Sequence, residues 1–518
     1  MANIELFKSI AGRLAPPATA VNEAGGAAYS REPEAALALY AATGCLSGTF
    51  YAGADTQLAE VLALCRQVSP EFVMKTALYA RRQAYMKDMP ALLMAVLAAR
   101  DGDRLEDAFS RVIDNGRMLR NFVQIVRSGV TGRKSLGSRP KRLVQQWLER
   151  ASVEQILSAA IGDKPSLADI VRMVHPKPQD KVREALYAWL IGRPYAEESL
   201  PEPVRVFESF KKAPGAEVPE LPFQYLTALS LTGEHWKQIA RRASWQTTRM
   251  NLNTFRRHGV FEDAEMVGMV AKRLKDAGEI ARARVFPFQL MTAYRAAGNG
   301  MPQEIVDALQ DAMEIATRNV PKLQGNVVVA VDVSGSMASA VSGFRPGSTS
   351  VVNCVQAAAL IAACIRRSNP SARIVPFAEA VRSIRLNASD TVMTQAGQLA
   401  AMVGGGTAES APLAMLNREK AKVDVLVIVS DNQSWIDSRV AGGSETMRQW
   451  SAIKARCPQA KMACIDLQPN LSSQTLKRQD ILHVGGFSDA VFSVLQDFVG
   501  DMGAGEAWMK RIEAMTLQ

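Results

Sequence analysis

The chain has 518 residues, 48% of them hydrophobic, a mean hydropathy near zero and a formal net charge of +10. That length exceeds a single core and predicts two to four domains. No apolar run reaches transmembrane length, and Met1-Ala-Asn-Ile-Glu-Leu-Phe-Lys8 lacks a basic stretch followed by an apolar one, so neither a membrane span nor a signal peptide is expected.

Cysteines stand at 45, 65, 354, 364, 457 and 464, with no C-x-x-C pair and only four histidines in the chain. This excludes a zinc constellation and predicts buried, reduced thiols in a cytoplasmic protein.

From about residue 31 to 320 the sequence reads as helix after helix. Ala, Leu, Met and Arg dominate, and long alternating β-branched runs are missing. Apolar residues at helical spacing predict helices over Glu34–Thr43, Thr56–Val68, Glu71–Ala84 and Pro90–Arg100. Asp103 and Ser152 suit N-caps, and Pro90 suits a first helical turn. The series continues through Leu143–Arg150, Val153–Ala160, Leu167–Val174, Lys181–Leu190 and Tyr225–Leu231. Glu262–Lys275, Pro287–Ala297 and Ile305–Thr317 close it. Short helices in succession stack as an all-α solenoid of HEAT-like pairs. The Pro- and Glu-rich stretch Leu200–Pro222 is expected to be a long loop.

The texture changes at Val320–Asn326, placing one domain over 1–320 and a second over 321–518. Predicted strands Val327–Val333, Arg373–Phe377, Val425–Ser430, Met462–Asp466 and Ile481–Val484 alternate with helices. The helices are Val351–Arg367, Thr391–Met402, Ala408–Leu416, Thr446–Arg456 and Ser488–Val499. Apolar strands alternating with helices imply a Rossmann-like α/β domain, its parallel sheet covered on both faces. Ligands bind beyond the C-terminal ends of such strands.

Two strand ends carry oxygen donors. Asp332, Ser334 and Ser336 follow the first strand, and Asp431 follows the third; Thr407 comes after three glycines, Gly404–Gly406. The D-x-S-x-S run with a distant Thr and a distant Asp resembles the metal-ion-dependent adhesion site of von Willebrand factor A (vWA) domains. Mg²⁺ is small and hard, takes six oxygens at about 2.0–2.1 Å and retains some of its waters. In that reading Ser334 and Ser336 bind directly, and Thr407 binds directly or through water. Asp332 and Asp431 supply charge, often through water, and one position stays open. Mn²⁺ accepts the same oxygens.

A helical solenoid ahead of a vWA domain resembles the Ro autoantigen family, whose solenoid is the TROVE domain. Further stretches carry that resemblance: Asn22-Glu-Ala-Gly-Gly-Ala-Ala-Tyr29, Gly44-Cys-Leu-Ser-Gly-Thr-Phe-Tyr51, Asp169-Ile-Val-Arg-Met-Val-His-Pro-Lys-Pro178 and Arg284-Val-Phe-Pro-Phe288. Bacterial Ro proteins are the nearest in character. The resemblance implies a ring of helical repeats closed by the vWA domain from a single, monomeric chain. It implies binding of small structured Y-like RNA outside the ring and of single-stranded 3′ ends of misfolded or damaged RNA in its hole. Polynucleotide phosphorylase or another exoribonuclease is the implied protein partner.

Three basic clusters are the chain's own evidence for RNA. Residues 101–150 hold eleven Lys and Arg against six Asp and Glu, the densest basic stretch. Within it Arg133, Lys134, Arg139, Lys141 and Arg142 occupy a Gly- and Ser-rich segment that can follow a phosphate backbone or simply be a solvated loop. Arg172, His175 and Lys177, with Lys181, form the second cluster; Arg172 and His175 share a helix face. The third has Arg241, Arg242 and Arg249 beside Trp236 and Trp245. Unpaired bases stack on such rings, but helical spacing reads both tryptophans first as core residues. The stretch before His175 carries only Lys164, where Ro proteins often have a more basic run.

The leading reading is a non-enzymatic RNA-binding protein of RNA quality control. The alternative is a Mg²⁺-dependent scaffold whose vWA site captures an acidic protein partner. No general base stands at fixed spacing from the metal motif, and the Gly404–Thr407 run lacks the Lys-Ser/Thr of a phosphate loop, so no catalytic residue is assigned.

Overall fold

The computed structural model describes residues 16–341, 352–434 and 443–517, apart from positions 24, 45, 214, 216, 222, 227, 228, 284, 286, 299, 489 and 501–503. Ala24, Cys45, Arg284 and Phe286 of the family-like stretches, and Val351 at the start of a predicted helix, therefore lie outside the described residues.

A short hairpin comes first, β1 (Ala20–Val21) and β2 (Ala27–Ser30). The helical region follows. It opens with α1 (Pro33–Thr43), α2 (Ala54–Gln67), α3 (Pro70–Arg82), α4 (Asp88–Arg100), α5 (Gly102–Val112) and α6 (Gly116–Arg127). It continues with α7 (Ser138–Arg150), α8 (Val153–Ala160), α9 (Leu167–Val174), α10 (Lys181–Ile191), α11 (Glu202–Lys212) and α12 (Phe223–Leu226). It ends with α13 (Gly233–Arg242), α14 (Trp245–Arg257), α15 (Ala264–Leu274), α16 (Ala277–Arg282), α17 (Pro287–Ala297) and α18 (Gln303–Ala316).

Packing is largely between near neighbours. Helix α3 lies on α4 and α5, α4 on α6, α5 on α7, α6 on α8 and α9, and α15 on α18. This is the signature of a solenoid, in which each unit buries its apolar face on the next. The caps fit the local sequence: Ser152 and Ser166 each close a capping box, with Gln155 and Asp169.

Three expectations are corrected. The helix expected over Tyr225–Leu231 is the short α12, which ends at Leu226 and leaves Leu229–Leu231 outside any helix. The stretch expected to be a loop over Leu200–Pro222 contains helix α11, which buries Val204, Phe207 and Phe210 along one face. Pro203 lies in its first turn, where a missing N–H costs nothing. The N-cap of α5 is Asp101 rather than Asp103, because Asp101 accepts from the Asp103 and Arg104 amides.

The strands of the α/β domain are β3 (Val327–Asp332), β4 (Arg373–Phe377), β5 (Val425–Ser430), β6 (Lys461–Asp466), β7 (Ser472–Ser473) and β8 (Ile481–Gly485). Five of them form a parallel sheet in the order β4-β3-β5-β6-β8, and β7 lies outside it. The helices of the domain are α19 (Cys354–Ser368), α20 (Val392–Ala400), α21 (Ala411–Arg418), α22 (Glu445–Arg456), α23 (Ala490–Val499) and α24 (Ala507–Glu513). Every residue of β3 and β5 is buried, which is why both read as unbroken apolar runs. From β3 the chain steps to one side for β4 and then crosses back for β5. The crevice between the ends of β3 and β5 is thus the sheet's switch point.

Both ends of the solenoid meet this domain. Helix α1 packs on β8 and α3 on α24, while α17 reaches α19 and α18 reaches α20. One continuous apolar core runs from α1 into α23 and α24. Strand β2 also pairs with β7, Tyr29 opposite Ser473. Beside it Arg31 is buried, donating to Asp466 Oδ2 at 2.6 Å and to the Ser472 carbonyl at 3.2 Å. Burial, then Arg31, pushes the neighbouring His483 down to about 3, so it sits there neutral. The helical arch and the α/β domain therefore close on each other.

Candidate functional site

The donors read from the sequence converge at the switch point. The register sets Val331 against Val429, so Asp332 lies beside Ser430. Ser430 donates its hydroxyl to Asp332 Oδ2 at 2.8 Å, and the Ser334 amide donates to Asp332 Oδ1 at 2.8 Å. The Ser334 and Ser336 hydroxyls are 3.2 Å apart. Thr407 arrives on a loop docked against the same strand end. Gly404 N donates to the Val333 carbonyl at 2.8 Å, and Gly335 N to the Gly405 carbonyl at 2.9 Å. Gly404 and Gly405 have φ of 144° and 84°, in the region that favours glycine. Arg382 straps this loop through the carbonyls of Met402 and Gly404.

Asp332, Ser334 and Asp431 are fully buried, and Ser336 and Thr407 nearly so. Burial pushes the Asp332 carboxyl up, against the pull of Ser334 and Ser430. Burial and then repulsion from Asp332 push Asp431 up to about 8, with the Ser336 hydroxyl and the Gln433 amide pulling the other way. Both carboxylate oxygens of Asp431 are buried without a well-formed hydrogen bond. Two adjacent acids in one dry crevice, one of them so poorly satisfied, make a poor structural motif by themselves. The same set supplies hard oxygen donors and up to two negative charges, which fits a divalent cation. Among the described residues no group of three or more His, Cys, Asp or Glu is arranged to hold a metal ion, so a cation here would need the Ser and Thr hydroxyls as ligands.

Sequence reasoning missed the residues that aim these donors. Asn470 Nδ2 donates to the Asp431 carbonyl at 2.6 Å, and Asn432, with φ of 61°, accepts from the Gln474 amide at 3.1 Å. Ser430 alone offered a signal, as a hydroxyl at a strand end.

The basic clusters divide into structural and exposed members. Arg133 caps α4 by donating to the Ala98 carbonyl, and Lys134 is exposed. Arg139 pairs with Asp103 at 2.7 Å and Arg142 with Glu106 at 2.7 Å, while Lys141 is half-buried. Arg242 donates to the Val218 carbonyl and Arg241 is exposed. Arg249 is largely buried, donates to the Gln289 carbonyl at 2.8 Å and is pushed down to about 10 by burial. Trp236 and Trp245 are core residues; Trp236 stacks on His258, and Trp245 donates to the Leu274 carbonyl.

The second cluster differs. His175 ends α9 in the left-handed conformation and is exposed, as are Arg172, Lys177 and Lys181. Arg172 reaches Asp169 at 3.4 Å and the Ile191 carbonyl at 2.8 Å. Arg172, His175 and Lys181 line a cleft of about 740 Å³, together with Tyr187, Arg193 and Tyr195.

Residues 326–499 match the family model of the Ro60 vWA domain. Over 92% of its length the chain is 28% identical to the RNA-binding protein RO60 of Deinococcus radiodurans, covering 94% of that relative. It is 23% identical to the RNA-binding protein RO60 of Caenorhabditis elegans over 73% of this chain and 60% of that one. The crystal structure of the Deinococcus radiodurans RO (RSR) protein superposes with a TM-score of 0.64 at 23% identity, covering 91% of this chain and all of the other. The resemblance to Ro proteins read from the sequence is upheld, and the solenoid followed by a vWA domain is their fold.

Proposed function

We propose that this chain, a relative of the Ro proteins with a Ro60-type vWA domain over residues 326–499, is a non-enzymatic RNA-binding ring protein. One observation carries the reading: the relative aligning over 92% of the chain is named an RNA-binding protein. The cleft at His175 supports it from the geometry. Arg172, Lys181 and Arg193 offer charge to phosphates, and His175 and Tyr195 offer rings to unpaired bases.

In this proposal the ligands are small structured, Y-like RNA and the single-stranded 3′ ends of misfolded or damaged RNA. The protein acts as a monomer in cytoplasmic RNA quality control, handing substrate to an exoribonuclease such as polynucleotide phosphorylase. Among the described residues no helix is long and apolar enough to cross a membrane.

The vWA site is proposed to hold Mg²⁺, or Mn²⁺ in its place, through Ser334, Ser336, Thr407, Asp332 and Asp431. The ion would supply a Lewis-acidic point for a partner's oxygen. The chain's own residues present the donors, hold the two carboxyls away from bulk solvent and give up the proton on Asp431. The unsatisfied Asp431 oxygens favour a bound cation, and through such an ion a second, compatible role is Mg²⁺-dependent capture of an acidic protein partner.

The test is purification from the native cell at low salt, with extraction and sequencing of the co-purifying nucleic acid. The expected result is one small structured RNA together with fragments bearing free 3′ ends. Clean protein that also ignores added single-stranded RNA would overturn the proposal in favour of the Mg²⁺-dependent scaffold.

A further inference from the structure

The loop bearing Asp431 is held by a segment about four hundred residues away. Between β1 and β2 the chain turns at Asn22–Gly26, closed by Gly25 N to the Asn22 carbonyl and Asn22 N to the Gly26 carbonyl, both 2.9 Å. The buried Asn22 side chain works in two directions. Its Oδ1 accepts from Gly26 N at 2.8 Å, and its Nδ2 donates to the Ser434 carbonyl at 2.9 Å. Next to it Glu23 N donates to Gln433 Oε1 at 3.0 Å.

Ser434 joins the two halves of the metal site. Its hydroxyl accepts from Glu409 N at 3.1 Å and lies 3.5 Å from the Thr407 carbonyl, to which it donates. The hairpin tip thus grips the point where the Asp431 loop meets the Thr407 loop. The rest of the hairpin is held by contacts that do not touch the proposed donors themselves. Strand β2 pairs with β7, and the Tyr29 hydroxyl accepts from Ser444 N at 3.3 Å.

We propose that Asn22 is a positioning residue for the metal site, and that docking of the N-terminal hairpin and occupancy of the site are thermodynamically linked. The inference rests on the metal reading above. Two arguments support it. Groups that orient metal ligands from behind change affinity by about 10–100-fold when removed. Linkage is reciprocal: if the docked hairpin strengthens metal binding by some factor, bound metal stabilises docking by that factor. The Asn-x-x-Gly-Gly pattern gains a physical reason here. Gly25, with φ of 77°, tightens the turn so that one asparagine can hold its own hairpin and the distant loop together.

The experiment uses the full chain with Mn²⁺ as the probe. Free Mn²⁺ is followed by electron paramagnetic resonance, and amide exchange is measured over residues 19–30 with and without the ion. For wild type, bound Mn²⁺ should slow exchange in the hairpin about tenfold. Asn22→Ala should weaken Mn²⁺ binding about tenfold and abolish that protection. Gln433→Ala, which removes the Glu23 contact from the other side, should weaken binding in the same direction and guards against a folding defect in the first variant. Wild-type affinity in both variants, with a hairpin indifferent to Mn²⁺, would overturn the inference and leave the metal site standing. A wild-type chain that binds no Mn²⁺ would instead sink the metal reading itself.

Discussion

At the scale of single residues, Asp431 is the most consequential side chain. Its carboxyl is pushed from the ordinary 3.8 up to about 8, so near neutral pH the metal-free protein holds a proton there that the unfolded chain has released. The sign follows from proton linkage: without metal, stability falls as pH rises from about 4 to 8. Asp431→Asn removes the burial and repulsion of that charge. We expect it to raise the thermal midpoint in chelator at pH 8.5 by a stability change on the order of a few kcal/mol. It should also eliminate any Mg²⁺-induced shift; an unaltered Mg²⁺ shift would show that the site lies elsewhere. For wild type, metal affinity should climb with pH and level off above about 8, with proton release visible as buffer-dependent heat at pH 7. Asp332→Ala should abolish ion binding with the solenoid still folded, judged by far-ultraviolet circular dichroism alongside Mn²⁺ titration.

At the scale of elements, close helix contacts and exposed charge do different work. Gly116 opens α6 directly against α8, where an added Cβ would lie 2.1 Å from the Cβ of Ala159. Gly116→Ala must push two helices apart, and we expect a loss of about 1–3 kcal/mol in urea unfolding. The basic clusters invite a different experiment. Arg133 and Arg249 hold carbonyl oxygens of the fold, so replacing them would confuse stability with binding. Arg172, Lys177 and Lys181 are exposed beside the His175 cleft. Replacing all three with Ala should shallow the log–log salt dependence of single-stranded RNA binding by about two, at about 0.7 for each phosphate no longer neutralised. An unchanged slope would remove this cleft from the RNA path.

At the scale of the whole molecule, closure depends on a few buried polar contacts between segments far apart in sequence. Arg31 faces Asp466, His483 and the Ser472 carbonyl in three directions that a lysine cannot reproduce. Burial drives Asp466 up to about 6 even with Arg31 beside it. Removing the guanidinium would leave that acid unpaired in the interior. Arg31→Ala should therefore cost about 3–5 kcal/mol and split a single unfolding transition into separate steps for the arch and the vWA domain. A single transition at the wild-type midpoint would show that the apolar contacts of α1 and α3 suffice for closure.

The sequence by itself determined the two-part architecture, most helices, all five strands of the parallel sheet and the five oxygen-bearing residues, Asp332, Ser334, Ser336, Thr407 and Asp431, that the fold brings together. These are local properties: apolar periodicity follows from the geometry of a helix or a buried strand, and Asp332, Ser334 and Ser336 sit within one turn of chain. Helix α11 escaped because its prolines read as breakers, although at a helix start they do no harm. Only the tertiary structure decided which basic residues face solvent, since charge belongs to the residue and exposure to the packing around it. Only the tertiary structure, too, joined Asn22 to Ser434 and Arg31 to Asp466, pairs more than four hundred residues apart that no local pattern could connect.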